Sequence, residues 1–147
     1  MELVFTKGAE KYDKLEVARA TGIESIACPK QRIIPHDMVH YAVELVLQKR
    51  GFVTRVRDGE PASFNMAPSA ESDAVERLVE VFQGDAWSGG RTPACEMIEL
   101  YAVTCTVRKC MPLRVSESEV DAVRKEMQRL TVLWEAVPVG QSLSLSL

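Results

Sequence analysis

Between Met38 and Leu47, only His40 and Glu44 interrupt a run that is otherwise apolar and aromatic. A helix that apolar on nearly every side has no wet face to show, so it belongs in the middle of a fold, packed on more than one side. Local chemistry sets its limits. Pro35 suits the first helical position, where its missing N–H costs nothing, and Asp37 suits the positive end of the helix dipole. Arg50 and Gly51 close it, a cation in the last turn followed by a residue able to adopt positive φ. The rest of the chain has to cover this helix.

The first 30 residues supply strands. Leu3 and Phe5 alternate with polar neighbours, Leu15 and Val17 do so again, and Thr21-Gly22 turns the chain before Ile23 to Cys28. Gly8 marks a break between the first two runs, and an antiparallel meander of about three strands fits this pattern. The tail from Ser142 to Leu147 alternates without a fault and reads as one more strand with a buried leucine face. The N-terminal meander is its obvious partner. Phe52 to Arg57 reads as a short strand, with Asp58-Gly59 as a turn, and Glu60 to Pro68 as a loop.

Three further helices follow. One runs from about Ser69 to Gln83, with Val75, Leu78, Val79 and Phe82 as its core stripe, Glu71, Asp73, Glu76 and Glu80 as its wet face, and Gly84 as its end. Asp85 to Arg91 reads as a flexible connection around Trp87. The next opens at Thr92 as N-cap and Pro93, then carries Met97, Ile98, Tyr101 and Cys105 at helical spacing. The β-branched run from Val103 to Val107 weakens its second half. The last is the clearest: Ser116 and Glu119 form a capping box, Val115 staples against Val120, and Val120, Val123, Met127, Leu130, Trp134 and Val137 repeat at spacings of three and four. Such a stripe reads as a long helix on one core face rather than a coiled-coil seam. Pro138 and Gly140 stop it. The expected fold is a single α+β domain over residues 1–147, with about four helices packed on a small, mostly antiparallel sheet made by the N-terminal meander and the C-terminal strand.

At 147 residues, with 46% apolar and 27% charged side chains, the chain has an ordinary globular composition with one core. A net charge of −3 offers no general attraction to nucleic acid. The basic group Lys49, Arg50, Arg55 and Arg57 reads as a solvated face around a turn. No apolar run approaches the roughly 20 residues that cross a bilayer, and the N-terminus lacks the pattern of a signal peptide. The expected setting is cytoplasmic, as a monomer or small homo-oligomer without membrane or nucleic-acid partners. Reduced thiols are then expected at Cys28, Cys95, Cys105 and Cys110, none at C-x-x-C spacing. Cys105 and Cys110 read as structural thiols, with a peroxide sensor as the alternative.

Both histidines of the chain fall within His36 to His40. Positions i and i+4 share a helix face, which lets two imidazoles meet one metal ion. His-Asp-x-x-His is one methylene short of the His-Glu-x-x-His of zinc proteases, where the acid activates the metal-bound water. His36 and His40 are therefore the candidate ligands of a divalent metal such as zinc, and Asp37 and Glu44 the candidate acid or base. Residues eight apart on a helix are separated by about 12 Å of rise, so His36, His40 and Glu44 cannot all ligate one ion. A third ligand must come from elsewhere, and Cys28, Glu60 and Asp85 are candidates. Free N–H groups at the start of the helix offer an anion site instead, which Asp37 opposes. The plain alternative is that His36, His40, Glu44 and Gln48 form the one wet or hydrogen-bonded edge of a buried helix. Two functional classes follow: an enzyme of metal-assisted hydrolysis, or a non-catalytic ligand- or protein-binding module. The protein-binding version calls for an exposed apolar patch around Phe64, Met66 and Trp87, although core or lid packing is the other reading of Trp87.

The run Ile34-Pro35-His36-Asp37-Met38-Val39-His40-Tyr41-Ala42-Val43-Glu44 resembles a segment shared by uncharacterised bacterial proteins of similar length, which carry Pro-His-Asp-x-x-His, an aromatic residue and a later Val-Glu. Those proteins are also similar in their ending, a long helix with a tryptophan, then proline, glycine and a short alternating strand, here Trp134, Pro138, Gly140 and Ser142 to Leu147. The resemblance covers most of the chain. It implies a bacterial origin and a recurring motif, and it brings no reaction with it.

Overall fold

A computed structural model describes residues 1–62 and 67–147. The described residues form four strands and five helices: β1 (Glu2–Thr6), β2 (Tyr12–Arg19), β3 (Gly22–Pro29), α1 (His36–Leu47), α2 (Phe52–Arg57), α3 (Ala70–Trp87), α4 (Ala94–Val107), α5 (Glu117–Glu135) and β4 (Ser142–Ser146). The α+β architecture is as expected, with α2 as the extra helix. Expected apolar patches at Phe64 and Met66 lie outside the described residues. No helix among the described residues is long and apolar enough to cross a membrane.

The sheet runs β3-β2-β1-β4, antiparallel throughout. Its register explains why the alternation at the two chain ends is so regular. Leu3 pairs with Val17 on one side and Leu145 on the other, and all three are buried. Phe5 likewise pairs with Leu15 and Leu143. A one-residue slip would turn this whole apolar row to water, so the register is fixed by burial.

Over that row lies α1, with α3 and α5 packed beside it. Met38, Val39, Ala42 and Val43 are fully inaccessible, and the Tyr41 hydroxyl donates to the Ser146 carbonyl at 3.1 Å, tying the helix to β4. The helix ends one turn before the expected stop. Gln48, not Gly51, adopts the left-handed conformation at its C-cap, with φ 52°. Gly51 has a different task, described below.

Phe52 to Arg57 is helix α2, not the short strand its Val and Thr content suggests. A six-residue helix has little intrinsic stability, and what holds this one is a carboxylate from outside it. Glu44 of α1 accepts from the backbone N–H groups of Gly51 (3.0 Å), Val53 (3.1 Å) and Thr54 (2.9 Å), the first-turn donors that a helix leaves without partners. Tertiary contact overrides local propensity here.

The remaining helices differ from expectation mainly at their ends. α3 runs on through Gly84 to Trp87, because Asp85 is buried and held by Arg124 at 3.1 Å. Trp87 is 55% exposed, neither core nor lid, with its indole N–H donating to the Gln31 carbonyl at 2.6 Å. α4 starts at Ala94 with Pro93 as N-cap and holds its helix through the β-branched run, where Thr104 and Thr106 donate their hydroxyls to the carbonyls four residues back. α5 has the expected Ser116–Glu119 capping box, and Val120, Val123, Met127, Leu130 and Trp134 of its stripe are buried. Of the basic group after α1, Arg55 is buried on Glu60 (2.7 Å), while Arg50 and Arg57 pair with Asp58.

Candidate metal centre

His36 and His40 open α1 one turn apart, with ring centroids 4.8 Å apart and planes inclined at 76°. Both meet the same carboxylate. His36 Nε2 lies 3.4 Å from Glu76 Oε1, and His40 Nε2 lies 2.8 Å from Glu76 Oε2. One ligand atom from each of the three residues lies within 4.8 Å of the others. Residues 36 and 40 share a face because α1 begins at His36, with Pro35 as its N-cap rather than its first helical residue, and α3 brings Glu76 to that face as it packs along α1.

Sequence reasoning assigns Glu76 to the wet face of its helix; its side chain is 33% exposed, and its carboxylate turns to the histidines of α1. Glu76 follows Val75 directly and precedes Val79 by three, so it lies at the border of the apolar stripe, whereas Asp73 and Glu80 lie opposite it. Ser72 and Gln83 share that border, and each also bonds to a neighbouring segment: Ser72 Oγ accepts from Arg55 at 3.1 Å, and Gln83 donates to Gln31 at 2.9 Å. The recoverable signal was the border position combined with a polar side chain.

Behind His40 stands Glu44. Its carboxylate is wholly buried and accepts from the three backbone N–H groups of the α2 start, from the Thr54 hydroxyl at 2.9 Å and from His40 Nδ1 at 2.9 Å. A carboxylate so supplied with donors can only accept, so the hydrogen of His40 Nδ1 points to it and Nε2 faces Glu76. Gly51 makes this approach possible. A Cβ at that position would stand 2.7 Å from Glu44 Cδ and 2.6 Å from Val75 Cγ1. Glu44 does not line the cavity beside the histidines, which does not fit the acid or base role expected of it. It holds and orients the ring of His40.

The electrostatics follow from this packing. Burial lowers the pKa of His40, but the hydrogen bonds to Glu44 and Glu76 more than reverse that and raise it to about 10. Burial pushes Glu76 up, and its bonds to His36 and His40 and their charges win, holding its carboxyl well below the usual range. Asp37 is raised by burial, against the partial relief of the neighbouring His40 and His36 charges. Its Oδ2 accepts from the Cys28 thiol at 3.7 Å. Burial and then the Asp37 charge push Cys28 up to about 12, and its sulfur is not part of the cluster that His36 and His40 form with Glu76. Glu60 is engaged by Arg55, and Asp85 by Arg124 and the Thr92 N–H, so neither reaches the histidines.

A cavity of about 360 Å³ opens beside the cluster. His36, Asp37, His40 and Glu76 form its polar side, and Ile26 and Phe52 stand among its apolar walls. Among the described residues, no lysine or arginine lines it. A larger cavity of about 500 Å³, between Trp134 and Gly89, is lined by the Asp85–Arg124 pair and by Lys7, Arg32 and Glu135. The chain matches no protein-family model, no curated protein and no solved structure.

Proposed function

We propose that His36, His40 and Glu76 hold a divalent metal ion, zinc by preference, and that the cavity beside them is a site of metal-assisted hydrolysis. The observation that carries this reading is the convergence of two imidazoles and one carboxylate on the wall of a cavity, with the inner imidazole fixed by a buried carboxylate. Two histidines and a glutamate are a common catalytic zinc donor set, and one that leaves a coordination position open. The chain His40–Glu44 supplies the outer partner that metal-binding imidazoles ordinarily have.

The fit is good but requires a small movement. Donors about 2.1 Å from a tetrahedral zinc lie about 3.4 Å from one another, whereas the widest pair here approaches 4.8 Å. His40 is locked in place with its side chain 2% exposed, while His36, at 40%, is free to turn inward. When bound, such an ion acts as a Lewis acid and makes water acidic enough to attack at neutral pH. Asp37, on the same wall, would serve there as a proton acceptor. Glu44 keeps Nε2 of His40 turned to the ion. With no lysine or arginine lining the cavity among the described residues, a neutral acyl substrate suits it better than a phosphate ester.

A second reading has its own support. The 2.8 Å contact between His40 and Glu76 satisfies both groups directly, as a metal-free hydrogen-bonded wall of a ligand pocket would.

Element analysis and zinc titration of the purified protein separate the two. One equivalent of metal is expected, lost in His40→Ala and Glu76→Ala and weakened about 10- to 100-fold in Glu44→Gln. Absence of metal after reconstitution, or stoichiometric metal indifferent to these substitutions, overturns the metal site. Full metal with no hydrolysis of activated esters or amides overturns the reaction alone.

A further inference from the structure

α4 ends in a turn that closes back on the helix. Lys109, just past the C-cap residue Arg108, adopts the left-handed conformation with φ 56°. Its N–H donates to the Thr106 carbonyl at 3.2 Å, and the Cys110 N–H donates to the Cys105 carbonyl at 2.9 Å. These two bonds are those of a Schellman motif, in which the chain returns over the last helical turn and the residues at its two ends meet. Here those residues are Cys105 and Cys110. In a continued helix, positions five apart would point about 140° away from each other. The left-handed lysine brings them to one side.

The two thiols differ in access, since Cys105 is inaccessible and Cys110 half-buried. They also sense each other. After burial, the Cys110 thiol is what most raises Cys105, while the Arg77 guanidinium draws it down. Arg77, on α3, is 14% exposed and pairs with Glu80 at 3.1 Å, but its buried Nε–H has no partner among the described residues. A buried donor left open near two thiols gains an acceptor when a sulfur there takes on oxygen or charge.

We propose that Cys105 and Cys110 form an oxidation site, a thiol pair that a hydroperoxide converts to a disulfide across the C-terminal turn of α4. Cys110, the sulfur that solvent reaches, attacks the outer oxygen of the peroxide. The O–O bond breaks, Cys110 becomes a sulfenic acid, and water or an alcohol leaves. The Cys105 sulfur then attacks that of Cys110. The S–S bond forms as the S–O bond breaks, and the departing oxygen takes the Cys105 proton and leaves as water. Two thiols are thus oxidised by the electron pair that the O–O bond accepts. Converting Cys110 to a sulfenic acid also removes the neighbouring thiol that holds Cys105 protonated, so the first step eases the second. The bond fixes the segment leading to Leu113, whose N–H donates to the Tyr101 hydroxyl at 3.0 Å.

Treating the folded, reduced chain with a small excess of hydrogen peroxide tests this. The expected product has lost two hydrogens and keeps two of its four thiols open to alkylation, and dithiothreitol restores all four. Trypsin cuts after Arg108 and Lys109, so a non-reducing digest should join peptide 92–108 to peptide 110–114. That link should persist in Cys95→Ser and vanish in Cys105→Ser and in Cys110→Ser. Dimedone, which captures sulfenic acids, should label Cys110 in Cys105→Ser and leave Cys105 unlabelled in Cys110→Ser. The digest of the wild-type chain needs no variant, so a substitution that unfolds the protein does not blunt the test. Oxidation of Cys110 without a link to Cys105, or a main product that joins Cys95 or a second chain, overturns the proposal. Dimedone on Cys105 in folded Cys110→Ser overturns the roles assigned to the two sulfurs.

Discussion

α1 and α4 both pack against α3, and they invert the usual pattern of a helix in opposite ways. α1 buries ionisable groups: His40 is 2% exposed and Glu44 not at all. α4 exposes Leu100, Val103 and Val107, while its buried side is a narrow stripe of three residues. A buried ion pair of the α1 kind is costly to desolvate and survives only when every polar atom has a partner. Glu44 meets that condition with five donors, and His40 with a carboxylate on each ring nitrogen. An exposed apolar stripe meets no such strict condition, since leaving it in water raises no polar group's energy. The first arrangement is therefore tightly coupled to the stability of this fold. The second is not.

The largest expected effect tests that coupling directly. Glu44→Ala removes the acceptor of three amides, one hydroxyl and one imidazole at once. The destabilisation should be about 3–5 kcal/mol, measured as a shift in the urea unfolding midpoint at fixed m-value. Leu100→Lys on α4, in the same measurement, should change stability by less than about 0.5 kcal/mol. A loss below about 1 kcal/mol for Glu44→Ala breaks the contrast, because it means that water or another group replaces the carboxylate at little cost.

Two glycines sharpen the same comparison at smaller scale. Gly51 has φ −123°, which any residue adopts, so backbone strain is not what requires glycine there. Its Cβ position is filled by the Glu44 carboxylate and Val75. Gly51→Ala should cost about 1–3 kcal/mol by forcing that buried network apart, and it should weaken metal binding by turning His40. Gly84, inside α3, has nothing within 4 Å of a Cβ position. Gly84→Ala should stabilise by about 0.5–1 kcal/mol through helix propensity alone. Opposite signs in thermal unfolding are the expected result. If both glycines tolerate alanine alike, the close approach at Gly51 is not restrictive.

How much of this was legible in the sequence depended on whether one segment carried the signal. The strands at both chain ends, the central placement of α1 and the capping box of α5 are written in local periodicity. The two histidines could be read as a pair because they stand on one helix. α2 could not, since Phe52 to Arg57 is helical only because Glu44, on another element, takes its first-turn amides. Glu76 was hidden for a related reason. A glutamate at the border of a helix stripe looks solvated until the neighbouring helix is known, and Cys28, nearer in sequence, looked like the better ligand.

The smallest effect concerns Cys105, which shares the dry side of α4 with Tyr101. Cys105 is fully buried, and burial, then the neighbouring Cys110, raise its pKa from 9.0 to about 11. A raised thiol means that the unfolded chain loses this proton first as the pH climbs. The contribution is intact below the unfolded value near 9, and it disappears as pH approaches the folded value. Stability should thus fall by about 1 kcal/mol more in the wild-type chain than in Cys105→Ala between neutral pH and about pH 9.5, after each is referred to its own neutral value. Equal slopes in wild type and Cys105→Ala would mean that solvent reaches the inner face of α4, and the helix would then lack the dry side on which its contrast with α1 depends.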